Sequence, residues 1–304
     1  MKKTTDKPNI LINILFSLIL LYIFLYLFKY AKKNQSIEAF TQKKKFLIKD
    51  NNTIFDDFYC DVYNTLLRDE NKDQYEIDEI KKMTNLNDNT KILDIGSGNG
   101  HHVNLLQNVG AKILGLDKSH HMTDRARKAY PKCKFKTGDF MNPSILKNKK
   151  YDHIVCLYFT IYYIENKSKF FKKCFKLLNS SGYLFLHLVN REKFDPMVSV
   201  SNPLYIVSPQ SVTDKRITKS SVKFENFQYK SNFKLKKNDN IGIFDETITD
   251  DKTKKVRKNI HTLFMEPQQE IIEKAMKEGF ILKGKIDLTP IQYEYQYLYV
   301  LYKS

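Results

Sequence analysis

The chain has 304 residues, a formal net charge of +17 and no tryptophan. Only six of its 51 basic residues are arginine, so the charge is mostly lysine, which favours a solvated surface over an anionic partner such as lipid headgroups. The four cysteines lie far apart and form no C-x-x-C pair, which argues against a zinc site or a disulfide framework.

The first predicted element is an apolar helix. Residues 10–28 carry no charge and would rise about 28 Å as a helix, which matches a bilayer core. A cleaved signal peptide is the alternative, but the run is long for one and no small-residue cleavage site follows it. Six lysines after the run against three before it favour a single-pass membrane protein with its C-terminal domain in the cytoplasm.

The soluble part alternates short apolar strands with helices from Lys91 onward, which is typical of an α/β sheet with mostly parallel strands. After Asn190 this rhythm is lost for about 75 residues, and period-two alternation there predicts an inserted antiparallel sheet. The predicted segments are an N-terminal tail (1–9), a transmembrane helix (10–30), a basic linker (31–50), N-terminal helices (51–90), a ligand-binding core (91–190), a β insertion serving as a substrate lid (191–265), and a closing helix with the last two strands (266–304).

The loop after the first core strand carries the strongest ligand signal. Three glycines spaced two apart in the run 96–100, with Asp94 before them, let the backbone approach a nucleotide-like ligand. Asp117 ends the next strand and is placed to accept hydrogen bonds from ribose hydroxyls. A nicotinamide-dependent Rossmann enzyme shares these features, but it needs glycine or alanine where His101 stands, so that the helix can pack closely.

Residues 91 to 189 resemble the core of the class I S-adenosylmethionine-dependent methyltransferases, whose acidic-x-Gly-x-Gly-x-Gly pattern is matched from Asp94 to Gly100. In the same comparison Asp117 is similar to the family's ribose-binding acid, Met122 to the helix start over the adenine, and Asp139 to the acid that meets the adenine amino group. The resemblance implies a Rossmann-like, seven-stranded α/β sheet with helices on both faces, and S-adenosylmethionine (SAM) as the cofactor. The implied cofactor residues are Asp94, Gly96, Ser97, Gly98, Gly100, Asp117, Lys118, Met122, Gly138, Asp139, Phe140 and Leu157.

Candidates for the acceptor side come from the ends of the fourth and fifth core strands and from the insertion. They are Tyr162, Tyr163, His187, Asn190, Arg191 and His261. We select Tyr162, His187 and His261 as the catalytic candidates, although the tyrosines are also compatible with packing and His187 with a core histidine.

Other polar residues have two interpretations. Glu246, Arg257 and His261 in the insertion either contact a polar substrate group or lie on a solvated sheet face. The histidine pairs 101–102 and 120–121 sit at helix starts, where a charged imidazole is unfavourable. We therefore expect neutral side chains there and predict no metal site.

The function that the resemblance implies is methyl transfer by in-line displacement to a small-molecule or lipid-like acceptor at the cytoplasmic membrane face. A general base is needed only if the acceptor is protonated at the working pH. The alternatives are a nucleic-acid or protein methyltransferase and an inactive, membrane-anchored SAM-binding scaffold. Leu157–Thr160 lacks the Asn/Asp-Pro-Pro-aromatic run of amino-methylating enzymes that act on bases, so a nucleic-acid partner is disfavoured.

Overall fold

The computed structural model describes residues 8–33, 42–51, 53–196 and 216–304, with side chains of the first helix described over 12–24. The chain divides into two units, Met1–Thr41 and Gln42–Ser304. Helix α1 (Pro8–Lys33) belongs to the first unit. Among the described residues no helix combines the length and the apolarity needed to cross a membrane, so the predicted transmembrane anchor is not supported. The predicted tail up to residue 7 and residues 34–41 of the linker lie outside the described residues.

The second unit holds the remaining helices and strands. Its helices are α2 (Asp57–Leu67), α3 (Glu70–Met83), α4 (His101–Asn108), α5 (His120–Ala129), α6 (Lys167–Leu177) and α7 (Gln268–Lys277). Its strands are β1 (Phe46–Asp50), β2 (Lys91–Ile95), β3 (Lys112–Asp117), β4 (Lys134–Thr137), β5 (Tyr151–Cys156), β6 (Leu178–Val189), β7 (Lys219–Lys223), β8 (Phe227–Lys236), β9 (Ile241–Asp250), β10 (Val256–Phe264), β11 (Ile281–Asp287) and β12 (Gln296–Tyr302).

The larger sheet has the strand order β11-β12-β6-β5-β2-β3-β4. Strands β2 to β6 pair in parallel, whereas β12 is antiparallel to both β6 and β11. The register shifts between β5 and β6 and within the β11–β12 pair. The predicted Rossmann-like α/β class is therefore confirmed, with a mixed and locally irregular sheet.

Both faces of this sheet are covered, because alternate residues of each strand enter different hydrophobic clusters. Leu93 and Ile154 pack with residues of α6 and α7 on one face. Ile92 and Val155, their neighbours along the strands, pack with residues of α3 and α4 on the other. This alternation is the expected consequence of the two-residue period of a strand whose two sides are both buried.

The smaller sheet has the order β1-β10-β9-β8-β7. Strands β7 to β10 form the predicted antiparallel insertion, of which residues 197–215 lie outside the described residues. Strand β1 joins its edge in parallel with β10, from Phe46 opposite Val256 to Asp50 opposite Ile260. The prediction that the linker continues to residue 50 was wrong, because the partner strand of this segment lies about 210 residues later in the chain.

An ion pair joins the smaller sheet to the start of α2. Asp56 caps α2 by accepting from the backbone N–H of Tyr59 at 3.1 Å. The buried guanidinium of Arg257 on β10 donates to both carboxylate oxygens of Asp56, at 2.8 and 3.0 Å. Both contacts come from Nη1 of Arg257 and join the sheet to α2 by a charge-assisted hydrogen bond, and both elements then line the cavity described next.

Candidate active site

A cavity of about 1110 Å³ lies over the carboxyl ends of β2, β3 and β5, and the smaller sheet lines its opposite side. The carboxyl edge of a parallel sheet is where ligands bind in open α/β folds. Of the twelve residues predicted to bind the cofactor, all but Gly100 line this cavity.

The glycine loop shapes one wall of the cavity. Gly96 has a φ of +74°, and a Cβ there would lie 2.4 Å from Oγ1 of Thr160. Gly98 has a φ of +51°, and a Cβ there would meet nothing within 4 Å, so this position faces open space in the cavity. Gly100 lies behind the loop, where a Cβ would meet the ring of Phe135 at 2.6 Å. Gly100 therefore serves packing, whereas Gly98 leaves room for a ligand.

Asp117 is held rigidly beside this loop. Its Oδ2 accepts from the backbone N–H of Gly98 and its Oδ1 from that of Ser119, both at 2.8 Å. Burial raises the pKa of its carboxyl group, although these two hydrogen bonds act against the rise. Each oxygen keeps further acceptor capacity, so Asp117 can accept hydroxyl donors from a ligand in the cavity.

The next wall follows β4. Asp139 accepts from the backbone N–H of Met141 at 2.8 Å, and Nζ of Lys118 lies 3.6 Å from its other oxygen. Met122 and Phe140 line the cavity as buried apolar side chains. The wall thus combines a flat apolar surface with one half-exposed carboxylate, which suits a heteroaromatic ring that carries a hydrogen-bond donor.

Two unpaired polar atoms indicate that this region fits a charged nucleoside-like group. Oγ of Ser97 and Nε of Arg68 are buried without a hydrogen-bond partner, and both residues line the cavity. Buried polar atoms in native proteins normally have partners, so a ligand with acceptor atoms would satisfy them. SAM has a carboxylate, an ammonium group and ribose hydroxyls, and the residues present fit it.

A charged network lies beneath this wall. Asp73, Glu76 and His102 are buried with their ligand-type atoms within 4.8 Å of one another. Nζ of Lys72 lies 2.6 Å from Oε1 of Glu76 and 3.7 Å from the ring centre of Tyr158. The lysine already supplies the cation that these carboxylates need, so we do not assign a metal site to the cluster.

The pKa values of the two histidines of α4 shift in opposite directions. Burial lowers the pKa of His101 to about 4, which keeps it neutral as expected. Burial also acts to lower the pKa of His102, but the hydrogen bond to Glu76 and the charge of Asp73 raise it above its usual value. The pKa of His102 thus shifts against the expectation of a neutral side chain, because two buried carboxylates outweigh the helix start.

The acceptor side of the cavity contains a chain of hydrogen bonds. The hydroxyl of Tyr163 lies 2.6 Å from Nδ1 of His261, and Nε2 of His261 lies 2.7 Å from Oε2 of Glu246. Tyr229 donates to the other oxygen of Glu246 at 2.8 Å, and Asn259 donates to Oε2 at 3.1 Å. Tyr163 and His261 line the cavity.

Two of the three catalytic candidates lie elsewhere. The hydroxyl of Tyr162 accepts from the buried backbone N–H of Val189 at 2.8 Å. Nδ1 of His187 lies 2.8 Å from the carbonyl oxygen of Tyr158, and burial lowers the pKa of His187 to about 4. Neither side chain lines the cavity. Tyr162 and His187 are core residues, because the turn after β5 points Tyr162 inward and β6 is buried on both faces.

The remaining acceptor-side candidates also differ from expectation. Arg191 donates to Asn240 and to the carbonyl oxygen of Met265, and neither it nor Asn190 lines the cavity. Glu246 and Arg257 are buried, with 0% and 2% of their surface exposed. The interpretation that Glu246 and Arg257 lie on a solvated face of the sheet was therefore wrong. Tyr163 was a candidate that sequence reasoning did not select, and its signal was only its position next to Tyr162.

The fold and the site together define a SAM-dependent methyltransferase. The methyltransferase domain family matches residues 86–258, which is more than half of the chain. The chain belongs to this family. Its strands β2 to β6, its glycine loop and Asp117 all lie inside the matched region.

Three individual proteins that resemble this chain are also methyltransferases. The chain is 28% identical over 165 residues to the ubiquinone biosynthesis O-methyltransferase of Pelagibacter ubique, covering 52% of this chain and 68% of that one. It shares its fold with a SAM-dependent methyltransferase of Clostridium acetobutylicum, with a TM-score of 0.63 and 16% identity over 81% of this chain and 98% of that one. It also shares its fold with SAM-bound CalS10, an amino pentose methyltransferase of Micromonospora echinaspora, with a TM-score of 0.55 and 16% identity over 77% of this chain and 91% of that one. The chain matches only part of the length of its curated relatives, and for one of them the match spans 37% of that protein.

Proposed function

We propose that the protein transfers the methyl group of SAM to a small-molecule acceptor bound beneath the smaller sheet. One observation carries this proposal: a single cavity is lined both by Gly98 and Asp117 and by Tyr163 and His261. Its volume of about 1110 Å³ exceeds the upper range of a pocket for one drug-sized ligand. Two ligands can therefore be held side by side.

The contribution of the chain to such a reaction is mainly positioning. SAM supplies a methyl group on a sulfonium centre, which is already activated for displacement. Gly96 contacts Thr160 in the turn Thr160–Tyr163, so the cofactor loop and the turn that carries Tyr163 are packed together. Holding two reactants in a fixed arrangement can lower a barrier by roughly 7–11 kcal/mol.

The acceptor class receives support from the relatives. The Pelagibacter ubique relative is an O-methyltransferase of ubiquinone biosynthesis, and CalS10 acts on an amino pentose. Both acceptors are small molecules. The aromatic residues around the acceptor side, including Phe55, Tyr59 and Phe244, also suit a compact organic molecule more than a polymer.

Attachment to the cytoplasmic face of a membrane is a further part of the proposal. It rests on the uncharged run 10–28 and on the lysine excess that follows it. Tethering would raise the local concentration of an amphiphilic acceptor, such as a lipid-like molecule, without any additional contact. Flotation of membranes in a density gradient at neutral pH tests it, because an attached chain rises with the membranes, and recovery of the whole chain in the soluble fraction would contradict the attachment.

Methyl transfer is tested with methyl-labelled SAM and a panel of small phenols and primary amines. The full chain should form S-adenosylhomocysteine and a labelled product, and Asp117→Ala should lose both. The proposal fails if SAM binds but labelled methyl groups appear only in protein or nucleic acid added to the same reaction.

A further inference from the structure

We propose that Tyr163, His261 and Glu246 form a proton relay that deprotonates an amine acceptor, which makes the protein an N-methyltransferase of small amines. The inference rests on the function proposed above and names its substrate class. An alkylammonium group has a pKa of about 10 and carries no free electron pair at neutral pH. It must therefore lose a proton before its nitrogen can attack a methyl carbon.

The hydrogen bonds define the direction of the relay. Glu246 accepts from Nε2 of His261 at 2.7 Å, so the proton of a neutral imidazole lies on Nε2. Nδ1 then carries the free electron pair and accepts from the hydroxyl of Tyr163 at 2.6 Å. A carboxylate that fixes the tautomer of a histidine prepares the opposite nitrogen to accept a proton.

The charge of Glu246 favours a cationic acceptor over a neutral one. Its carboxylate is fully buried, and the donors that contact it among the described residues are the neutral groups of Tyr229 and Asn259, together with His261. The charge of Arg257, which lies on β10 together with His261, is balanced by Asp56. A buried negative charge without a cation is costly, and an ammonium group in the cavity would provide one.

Burial acts to raise the pKa of Glu246, but the charge of His261, when it is protonated, and the hydrogen bonds from His261, Asn259 and Tyr229 lower it below its usual value. Glu246 therefore stays ionised and can stabilise an imidazolium. A phenol acceptor would instead become a phenolate in the cavity that Tyr163 and His261 line, and its negative charge would repel that of Glu246 behind His261. The same chain of contacts thus distinguishes amines from phenols.

Aromatic rings surround the histidine. The ring centres of Phe55, Tyr59, Tyr163 and Phe244 lie between 5.6 and 6.3 Å from that of His261. Aromatic faces attract ammonium and imidazolium ions by roughly 0.5–2 kcal/mol. The surroundings of His261 therefore suit a positive charge both before and after the proton moves.

The proton transfer and the methyl transfer together conserve atoms and charge. An N–H bond of the ammonium group breaks and its proton passes to the oxygen of Tyr163, while the hydroxyl proton of Tyr163 passes to Nδ1 of His261. The freed electron pair of nitrogen forms the new bond to the methyl carbon, and the electron pair of the broken carbon–sulfur bond stays on sulfur. The products are an N-methylammonium group, a neutral thioether and an imidazolium paired with Glu246.

The roles of the three side chains differ. Tyr163 and His261 line the cavity and are catalytic residues, whereas Glu246 acts through His261 and is a positioning residue. The chain offers matched controls for the two catalytic residues. Tyr162→Phe and His187→Asn make the same changes at buried positions that do not line the cavity.

The test compares the wild type with His261→Asn on two probe classes, primary alkylamines and anilines, with methyl-labelled SAM. Anilines are unprotonated at neutral pH and need no base. General base catalysis contributes about 100-fold or more, so His261→Asn should lose about 100-fold in kcat on alkylamines and only a few-fold on anilines. Tyr163→Phe should behave in the same way, and both controls should leave kcat unchanged.

A second readout does not depend on turnover. Nitrogen-15 NMR of labelled histidine in the full chain should show Nδ1 of His261 without a proton at pH 8, and Glu246→Gln should change that tautomer. A protonated Nδ1 in the wild type would overturn the relay.

The remaining outcomes separate the two proposals. If the wild type does not bind SAM in calorimetry, the methyltransferase function itself fails. If it binds SAM but methylates no alkylamine of the panel, the amine assignment fails. Equal losses on both probe classes for His261→Asn, with SAM binding intact, would show that the histidine is structural and would overturn the relay.

Discussion

The substitution Gly96→Ala tests whether the glycine loop is shaped by its contact with the turn after β5. Its φ of +74° lies in the left-handed region, where a side chain costs about 1–2 kcal/mol. The added Cβ would also lie 2.4 and 2.5 Å from Oγ1 and Cγ2 of Thr160, and such overpacking costs about 1–3 kcal/mol. The free energy of unfolding should therefore fall by about 2–5 kcal/mol.

Gly98→Ala is the matched control. Its φ is +51° and the new Cβ would meet nothing within 4 Å, so only the backbone cost of about 1–2 kcal/mol applies. The methyl group would project into the cavity, and Gly98→Ala should weaken SAM binding more than it weakens the fold. Urea unfolding followed by circular dichroism measures both variants, because the chain has no tryptophan.

A double-mutant cycle decides whether the contact is the cause. Thr160→Ala removes the two atoms closest to the new Cβ and leaves Cβ of residue 160 at 3.0 Å. The pair Gly96→Ala and Thr160→Ala should then recover about 1–3 kcal/mol relative to the sum of the single variants. Strict additivity, or equal destabilisation by Gly96→Ala and Gly98→Ala, would refute the reasoning.

Three further predictions concern stability. Burial raises the pKa of Asp94 to about 7 from an ordinary 3.8. A carboxyl group with a raised pKa stabilises the fold when the pH is below its pKa in the unfolded chain, and this contribution is lost as the pH rises towards 7. The free energy of unfolding of the wild type should therefore fall by roughly 4 kcal/mol between acid and neutral pH, and urea unfolding at several pH values should show that Asp94→Asn removes this fall. Tyr162→Phe leaves the backbone N–H of Val189 unpaired, so it should lower the free energy of unfolding by about 1–3 kcal/mol and leave methyl transfer unchanged. A loss of turnover at unchanged stability would contradict the assignment of Tyr162 to the core. Glu76→Gln leaves the buried ammonium of Lys72 without its partner and should cost about 3–5 kcal/mol, whereas a neutral effect on the melting temperature would show that the pair is dispensable.

The residues predicted to bind the cofactor could be placed at one edge of the sheet from the sequence, because their signals are local. Each βα unit places its ligand-contacting residues at a strand end, so Asp94 and Asp117 could be located from the boundaries of β2 and β3. The glycine spacing also argued against a dinucleotide-binding loop, because such a loop needs glycine or alanine where His101 stands. Strands β2 and β3 span Lys91–Ile95 and Lys112–Asp117, so Asp94 and Asp117 both lie at or near a strand end.

The acceptor half depends on contacts between distant segments. His261 meets Tyr163 across 98 residues, and the side chain of Arg257 meets Asp56 across 201 residues. Period-two alternation identified the strands of the insertion, but alternation alone does not tell which face is covered. Neither the contact between His261 and Tyr163 nor the burial of Glu246 could therefore be predicted from the sequence.

Tyr162 and Tyr163 illustrate a different difficulty. They are adjacent in a short 3-10 turn, Thr160–Tyr163, where neighbouring side chains point in different directions. The turn directs Tyr162 to the core and Tyr163 to the cavity. Propensity and hydrophobicity are the same for both residues, so only the three-dimensional path of the turn separates them.

Calorimetric titration of the full chain with SAM tests the central claim most directly. The account predicts saturable binding to one site, and it predicts that Asp117→Ala abolishes this binding, because Asp117 holds the loop at Gly98 and faces the cavity. Absence of binding to the wild type, or binding that Asp117→Ala leaves unchanged, would contradict the assignment of this cavity to the methyl donor.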